Sequence, residues 1–275
     1  QYFIKFKIMA KINLDKYYTP SDLAGYCVKK TKEIIGVENI TEWLEPSAGA
    51  GVFLPYFGNA NNYLAFDIEP EAENIEQKNY LELDLPYFKG RCVIGNPPFG
   101  TRNTLSVRFY KKAITMCDYV AFILPASQYN NNQQMYEFDL IHSEMLPIIE
   151  YCGIKLQCCF NVFKRPDNGL NIAPIDYKLK DVTILEWRRG GNYKIPQSYD
   201  LAICSWGASI GKEIKQQGQF ALENYLIINN LEYKQQILDV MKKANWCELY
   251  PNIATPRLGQ WKIYKYLKEQ IPNLN

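Results

Sequence analysis

Short unbroken apolar runs alternate along the chain with stretches where apolar residues return every three or four positions. Ala24, Cys27, Val28, Thr31, Ile34 and Ile35 follow the second pattern. They predict a helix with one buried face, N-capped by Ser21 and ended by Gly36. Asn62 to Phe66, Arg91 to Gly95 and Tyr119 to Pro125 follow the first, and Ile40 to Leu44 also reads as a strand. Such runs suit strands covered on both faces, as in a parallel sheet. A further strand end is expected around Lys78 to Asp84, and two more strands at 148–152 and 156–163. Helices are predicted over Val107 to Cys117, with Arg108, Lys111 and Lys112 on the outer face, and over Met135 to Met145. This βαβ series predicts an open α/β sheet with helices on both faces.

The pattern changes at Lys164-Arg165-Pro166-Asp167-Asn168-Gly169, a turn-rich break. Beyond it, 181–191 and 201–206 read as strands, and Leu231 to Lys243 and Gln260 to Glu269 as helices. The expected organisation is an N-terminal extension over 1–14, an α/β domain over 15–165, and a smaller α+β region over 166–275.

Composition narrows the function classes. None of the 275 residues falls in an apolar run near the ~20 needed for a membrane span, so no membrane partner is expected. The first eight residues carry lysines and no small-residue cleavage site, and Met9 is a candidate natural start. Eight cysteines with no Cys-x-x-Cys pair predict buried thiols in a reducing, cytoplasmic compartment. His142, the only histidine, excludes a His-rich metal site, and no metal ligand set is expected. Charge is uneven. Residues 1–150 hold 14 Lys+Arg against 18 Asp+Glu, and residues 151–275 hold 17 against 11, so a net of −4 precedes a net of +6. A basic second half points weakly to a polyanionic partner.

The candidate chemistry sits at strand ends. Val93-Ile94-Gly95 runs into Asn96-Pro97-Pro98-Phe99, a stiff turn whose prolines have no N–H to donate. The Asn96 side-chain oxygen and the Pro97 carbonyl can accept hydrogen bonds from a planar amine, and Phe99 can stack on its ring. Glu45-Pro46-Ser47-Ala48-Gly49-Ala50-Gly51 follows the first strand as a small-residue loop expected to lead into a helix. Asp67, 16 residues past Gly51, ends the second strand where ribose hydroxyls are accepted in nucleotide folds. Tyr18-Thr19-Pro20 precedes the first helix, and Asn79-Tyr80 the third loop. All should share one cleft outside the carboxyl ends of the strands, suited to a nucleoside-bearing cofactor. Gly207-Ala208-Ser209-Ile210-Gly211-Lys212-Glu213 is too short for a P-loop and has Glu where Ser or Thr would hold magnesium.

Taken in order, these motifs resemble the S-adenosylmethionine-dependent N6-adenine DNA methyltransferases, over about residues 15–165, in the subgroup that places target recognition last. The resemblance implies a Rossmann-like methyltransferase sheet and S-adenosylmethionine as cofactor. It makes Asn96, Pro97, Pro98 and Phe99 catalytic. It gives cofactor contacts to Thr19, Pro20, Glu45, Pro46, Ser47, Ala48, Gly49, Asp67, Ile68, Asn79 and Tyr80. The adenine would be flipped out of double-stranded DNA, with Phe160 or Phe163 on its second face. Phe160, Lys164, Arg165, Arg188 and Arg189 are the expected DNA contacts. Asn79-Tyr80 departs from the family's Asp-Phe pair, though an amide still suits the cofactor's adenine. A partnered restriction endonuclease or second subunit fits the small recognition region, and a prokaryotic or phage origin fits the family. RNA N6-adenine and protein-glutamine methyltransferases carry similar turns, and N4-cytosine enzymes usually have Ser at the place of Asn96. A catalytically inactive DNA-binding subunit is the non-enzymatic alternative.

Overall fold

The computed structural model describes residues 18–58, 62–151, 154–192, 194–250 and 257–275. It divides into two compact units, the first ending at Ile175 and the second spanning Asp176–Asn275. The division falls beyond the turn at 166–169, because Asn171 is tied into the first unit. Its backbone N–H donates to the Glu137 carbonyl and its amide to the Tyr136 carbonyl and Asp139.

The first unit is a seven-stranded sheet. Its strands are β1 (Glu42–Glu45), β2 (Tyr63–Asp67), β3 (Glu76–Gln77), β4 (Arg91–Gly95), β5 (Tyr119–Pro125), β6 (Asp139–Met145) and β9 (Cys158–Lys164), in the order β3-β2-β1-β4-β5-β9-β6. β1 to β5 run parallel, and β9 enters antiparallel between β5 and β6. A small hairpin of β7 (Ile149–Tyr151) and β8 (Ile154–Leu156) forms a separate two-stranded sheet. Alternate strand residues feed two cores. Trp43, Ala65, Cys92, Ile94, Ala121 and Ile123 pack under helix α1 (Ser21–Ile35) through Ala24, Cys27 and Val28. Leu44, Phe66, Val93, Val120 and Phe122 pack under helix α2 (Thr104–Ala113) through Phe109, Tyr110 and Ala113. One helix thus lies on each face, as the continuous apolar runs require. This is the expected Rossmann-like α/β architecture.

Several local readings change. Ser21 is the first helical residue, with Pro20 at the N-cap, and its hydroxyl pairs with the Tyr56 hydroxyl at 2.9 Å. The small-residue loop leads into a single 3-10 turn, Leu54–Tyr56, instead of a helix. The third strand is two residues long and precedes Lys78. The predicted helix at 135–145 is a loop and then β6, and His142 lies on that strand, half-buried, with Nε2 3.3 Å from Glu144. Pairing with β9 overrides the local helical spacing there. The second helix starts earlier than its apolar spacing predicts, at Thr104, and ends at Ala113.

The second unit is an antiparallel sheet in the order β10 (Val182–Arg188), β12 (Leu222–Ile228), β11 (Leu201–Cys204). Helices α3 (Lys234–Lys243), α4 (Trp246–Leu249) and α5 (Gln260–Gln270) share a core with it, built on Ile184, Ile203, Leu226, Ile237, Trp246 and Ile263. No helix among the described residues is long and apolar enough to cross a membrane.

Candidate functional site

The strand order reverses between β1 and β4, the point where open α/β sheets leave a crevice at the carboxyl ends of their strands. A cavity of about 320 Å3 opens there, within the size range of small-molecule sites. Thr19, Glu45, Pro46, Ser47, Ala48, Gly49, Asp67, Ile68, Asn79, Tyr80, Asn96 and Pro98 all line it. These residues are far apart in the sequence, and the sheet gathers them because each follows a strand or precedes α1.

At the β4 end, the Asn96 amide Nδ2 donates to the Thr19 hydroxyl at 3.2 Å, which fixes the rotation of the amide. The Ser47 hydroxyl reaches the Asn96 carbonyl at 3.4 Å. The turn is anchored from behind: the Phe99 carbonyl accepts from the Leu105 N–H at 3.1 Å and the Pro98 carbonyl from the Ser106 hydroxyl at 3.2 Å. α2 therefore holds the turn as well as covering the sheet.

At the β1 and β2 ends, Asp67 braces the small-residue loop. Its Oδ2 accepts from the Gly49 N–H at 2.7 Å and its Oδ1 from the Glu69 N–H at 2.8 Å. Each carboxylate oxygen keeps a further lone pair for a ligand hydroxyl. Gly49 has φ +52, and a Cβ there would meet no protein atom within 4 Å, so the loop presents bare backbone to open space. Glu45 is only 2% exposed, and its Oε2 has no hydrogen-bond partner. Burial, then the nearby Asp67 carboxylate, push its pKa well above the ordinary carboxylate value. A buried carboxylate oxygen left in this state suits a cationic ligand group. Ile68, half exposed, and Tyr80, Leu81 and Phe109 supply an apolar wall, with the Tyr80 and Phe109 rings 5.2 Å apart. Tyr18 and Glu71, both lining the cavity, are hydrogen-bonded to each other.

The structure sorts the expected residues. Pro20 is exposed at the start of α1 and does not line the cavity. Pro97 is buried, and Phe99 is half-buried against the core under α1. Asn79 lines the cavity, but its amide caps a 3-10 turn, accepting from Leu81 N–H at 3.2 Å and donating to Glu82 at 2.6 Å. Tyr18 lines the cavity with its expected segment, whereas Glu71, Leu105 and Phe109 lie outside every expected motif. Leu105 and Phe109 carry no signal beyond helical spacing, and Glu71 none at all.

Three DNA contacts expected in the first unit are corrected. Phe160 is wholly buried in the core under α1, and Phe163 in the core under α2, so neither presents a face to a base. Lys164 pairs with Tyr119, the first residue of β5, so it and Arg165 lie at the sheet edge opposite Asn96. Lys164 is 3.8 Å from Asp167. The Arg165 guanidinium donates to the Cys117 and Ile114 carbonyls and lies over the Tyr87 and Phe138 rings. It closes the turn after α2. In the second unit, Arg188 and Arg189 are exposed, and Arg189 donates to the Gly218 carbonyl at 3.0 Å.

No group of three or more potential metal ligands occurs among the described residues. No family profile matches the sequence. No curated protein matches it either. Solved structures do resemble the chain. A protein provisionally assigned as an RNA methyltransferase, from Pyrococcus horikoshii, is 20% identical over 55% of this chain and 88% of its own, with a TM-score of 0.46. A provisionally assigned class I S-adenosylmethionine-dependent methyltransferase from Listeria monocytogenes is 12% identical over 59% of this chain and 64% of its own, with a TM-score of 0.44. The 23S rRNA methyltransferase ErmE is 11% identical over 58% of this chain and 71% of its own, with a TM-score of 0.40. These are likenesses of backbone arrangement.

Proposed function

We propose that this chain is an S-adenosylmethionine-dependent methyltransferase acting on the N6 amine of adenine in duplex DNA. The observation that carries the reading is the Asn96 amide, held by Thr19 in a Pro-Pro turn pinned to α2, beside a cavity lined by Asp67 and Glu45. The cavity's donor set fits the cofactor. Asp67 suits ribose hydroxyls, the partnerless Glu45 oxygen suits a cationic centre, and the Ile68, Tyr80 and Leu81 wall suits a flat base. When bound, S-adenosylmethionine supplies an electrophilic methyl group.

The chain's own part is positioning. Adenine N6 is a poor nucleophile because its lone pair is delocalised into the ring. With Nδ2 committed to Thr19, Asn96 offers Oδ1 as acceptor for one N6 proton. The Pro97 carbonyl, in a turn pinned to α2, is assigned the second. Two such bonds turn the lone pair out of conjugation and aim it, and alignment of this kind supplies most of the rate. The base must leave the duplex to reach the turn. Support for DNA over RNA is the motif order, with the Tyr18-Thr19-Pro20 segment ahead of the cofactor loop and the basic region last.

The test incubates the protein with isotope-labelled S-adenosylmethionine, unmethylated genomic DNA and, in parallel, total RNA, and reads the digested nucleosides by mass spectrometry. Label in N6-methyldeoxyadenosine is expected. Asn96→Ala should lose transfer and keep cofactor binding by calorimetry. Label confined to RNA would keep the chemistry and overturn the substrate, and a fully active Asn96→Ala enzyme would overturn the mechanism.

A further inference from the structure

We propose that a basic, aromatic ridge on the second unit, formed by Trp206, Arg257, Lys262 and Trp261, grips the duplex DNA substrate. The inference rests on the DNA reading above and adds the surface that carries it.

The ridge is continuous. Trp206 follows β11 and is 46% exposed, a large apolar surface for one side chain to leave in water. It pairs as an antiparallel bridge with Arg257. The Lys262 ammonium lies 3.4 Å from the Arg257 carbonyl, 4.3 Å from the Tyr250 ring centroid and 5.7 Å from that of Trp261. Trp261 in turn stacks on Tyr177 at 6.0 Å, and Lys265 stands 5.8 Å over that ring. Cations and aromatic faces are thus interleaved from Trp206 to Lys265.

The ridge is also held rigidly. The Leu258 N–H donates to the Ser205 carbonyl at 3.0 Å, and the buried Asn224 amide donates to the Leu258 carbonyl at 2.9 Å. The segments that present the indole and the guanidinium are therefore tied to the central strand, β12. A partner that docks there loses little affinity to ordering.

Charge selects the partner. The Lys262 ammonium is largely desolvated and faces a second cation, and together these lower its pKa to about 8. Among the described residues, no carboxylate raises it back. A neighbouring phosphate would. Arg257 does have an acid beside it, Glu186 at 3.1 Å and 3.3 Å, in an exposed pair that a phosphate can displace at small cost. Lysine and arginine on successive phosphates, with indoles packing on sugar or base faces, is the footprint of a nucleic-acid surface. A protein partner would leave Lys262 uncompensated unless it brought an acid to that one point.

The test uses the full chain and a short fluorescein-labelled unmethylated DNA duplex of mixed sequence, read by anisotropy across a salt series. Arg257→Gln with Lys262→Gln should weaken binding at least about tenfold. It should also flatten the slope of log affinity against log salt by about 0.9 for each phosphate left without its cation. Trp206→Ala, on an exposed side chain that puts the fold at no risk, should weaken binding several-fold without changing the slope. Cofactor affinity by calorimetry should match the wild type in both variants, which also reports folding. If the wild type methylates DNA and the variants keep its affinity and slope, the ridge is refuted and the methyltransferase reading stands. If the wild type neither binds nor methylates DNA, or acts on RNA alone, the DNA reading falls and the ridge with it.

Discussion

Thr19→Val separates positioning of the target amine from binding of the cofactor. Valine keeps the size and branching of threonine and removes only the hydroxyl. The Asn96 Nδ2 then loses an acceptor 3.2 Å away, in a part-buried setting. Losing a part-buried hydrogen bond of this kind costs about 0.5–1.5 kcal/mol and loosens the hold on the amide's rotation. Rotation withdraws Oδ1 from the incoming amine. The same energy then reappears in the barrier, for a fall of roughly 2- to 12-fold in kcat at about 1.4 kcal/mol per tenfold. Thr19→Ser, which keeps an oxygen, should restore most of it. The assay is methyl transfer to unmethylated DNA at saturating cofactor, with cofactor binding measured separately by calorimetry. The reasoning predicts a kcat loss larger than any loss of cofactor affinity. A Thr19→Val enzyme with wild-type kcat and weakened cofactor binding would make Thr19 a plain cofactor contact and refute the orienting role.

The other outcomes expected are more local. Arg165→Ala removes charged hydrogen bonds to the Cys117 and Ile114 carbonyls, worth about 1.5–3 kcal/mol. It should lower the melting temperature and leave DNA affinity unchanged, and weakened DNA binding by a stably folded variant would restore it as a contact. Gly49→Ala places a methyl in open space but at φ +52, costing about 1–2 kcal/mol of backbone strain. Calorimetry should show a larger loss of cofactor affinity than melting shows of stability. Glu45 holds its proton in the folded chain at pH values where the unfolded chain has released it, so folding stability falls as pH rises above the ordinary carboxylate range. Glu45→Gln should therefore melt higher than the wild type near neutral pH, with the gap closing in acid, while binding cofactor more weakly; equal melting at all pH values would contradict a carboxyl whose ionisation is opposed by burial.

Much of the first unit was legible because its central strands are buried on both faces. Arg91–Gly95 and Tyr119–Pro125 end where their apolar runs end. Ligand-facing residues at strand ends were legible for the same reason, since the loop and its strand are read together. Legibility failed where a partner distant in sequence overrides a local pattern. β6 owes its strand geometry to β9, and Phe160 and Lys164 read as DNA contacts only while the direction of β9 is unknown. β12 was missed because Glu223 and Asn224 interrupt its apolar run. Both are fully buried, and Glu223 is satisfied by the Gly218 and Phe220 N–H groups and the Tyr225 hydroxyl. Polar residues that find partners inside a fold look, in one dimension, like surface.

The antiparallel insertion of β9 constrains the order in which the first unit assembles. β6 is made before β9 but has no other neighbour in the sheet, so it cannot join alone. The two close on each other across residues 146–157, at modest loop entropy. That pair then docks along the full length of β5, from Tyr119 to Pro125. A nascent chain stopped before Cys158 would present β5 as an uncovered hydrophobic edge, a template for pairing with other chains. The last strand to arrive is thus also the guard against aggregation, and release of that edge should make truncations before residue 158 insoluble while truncations after Ile175 stay soluble.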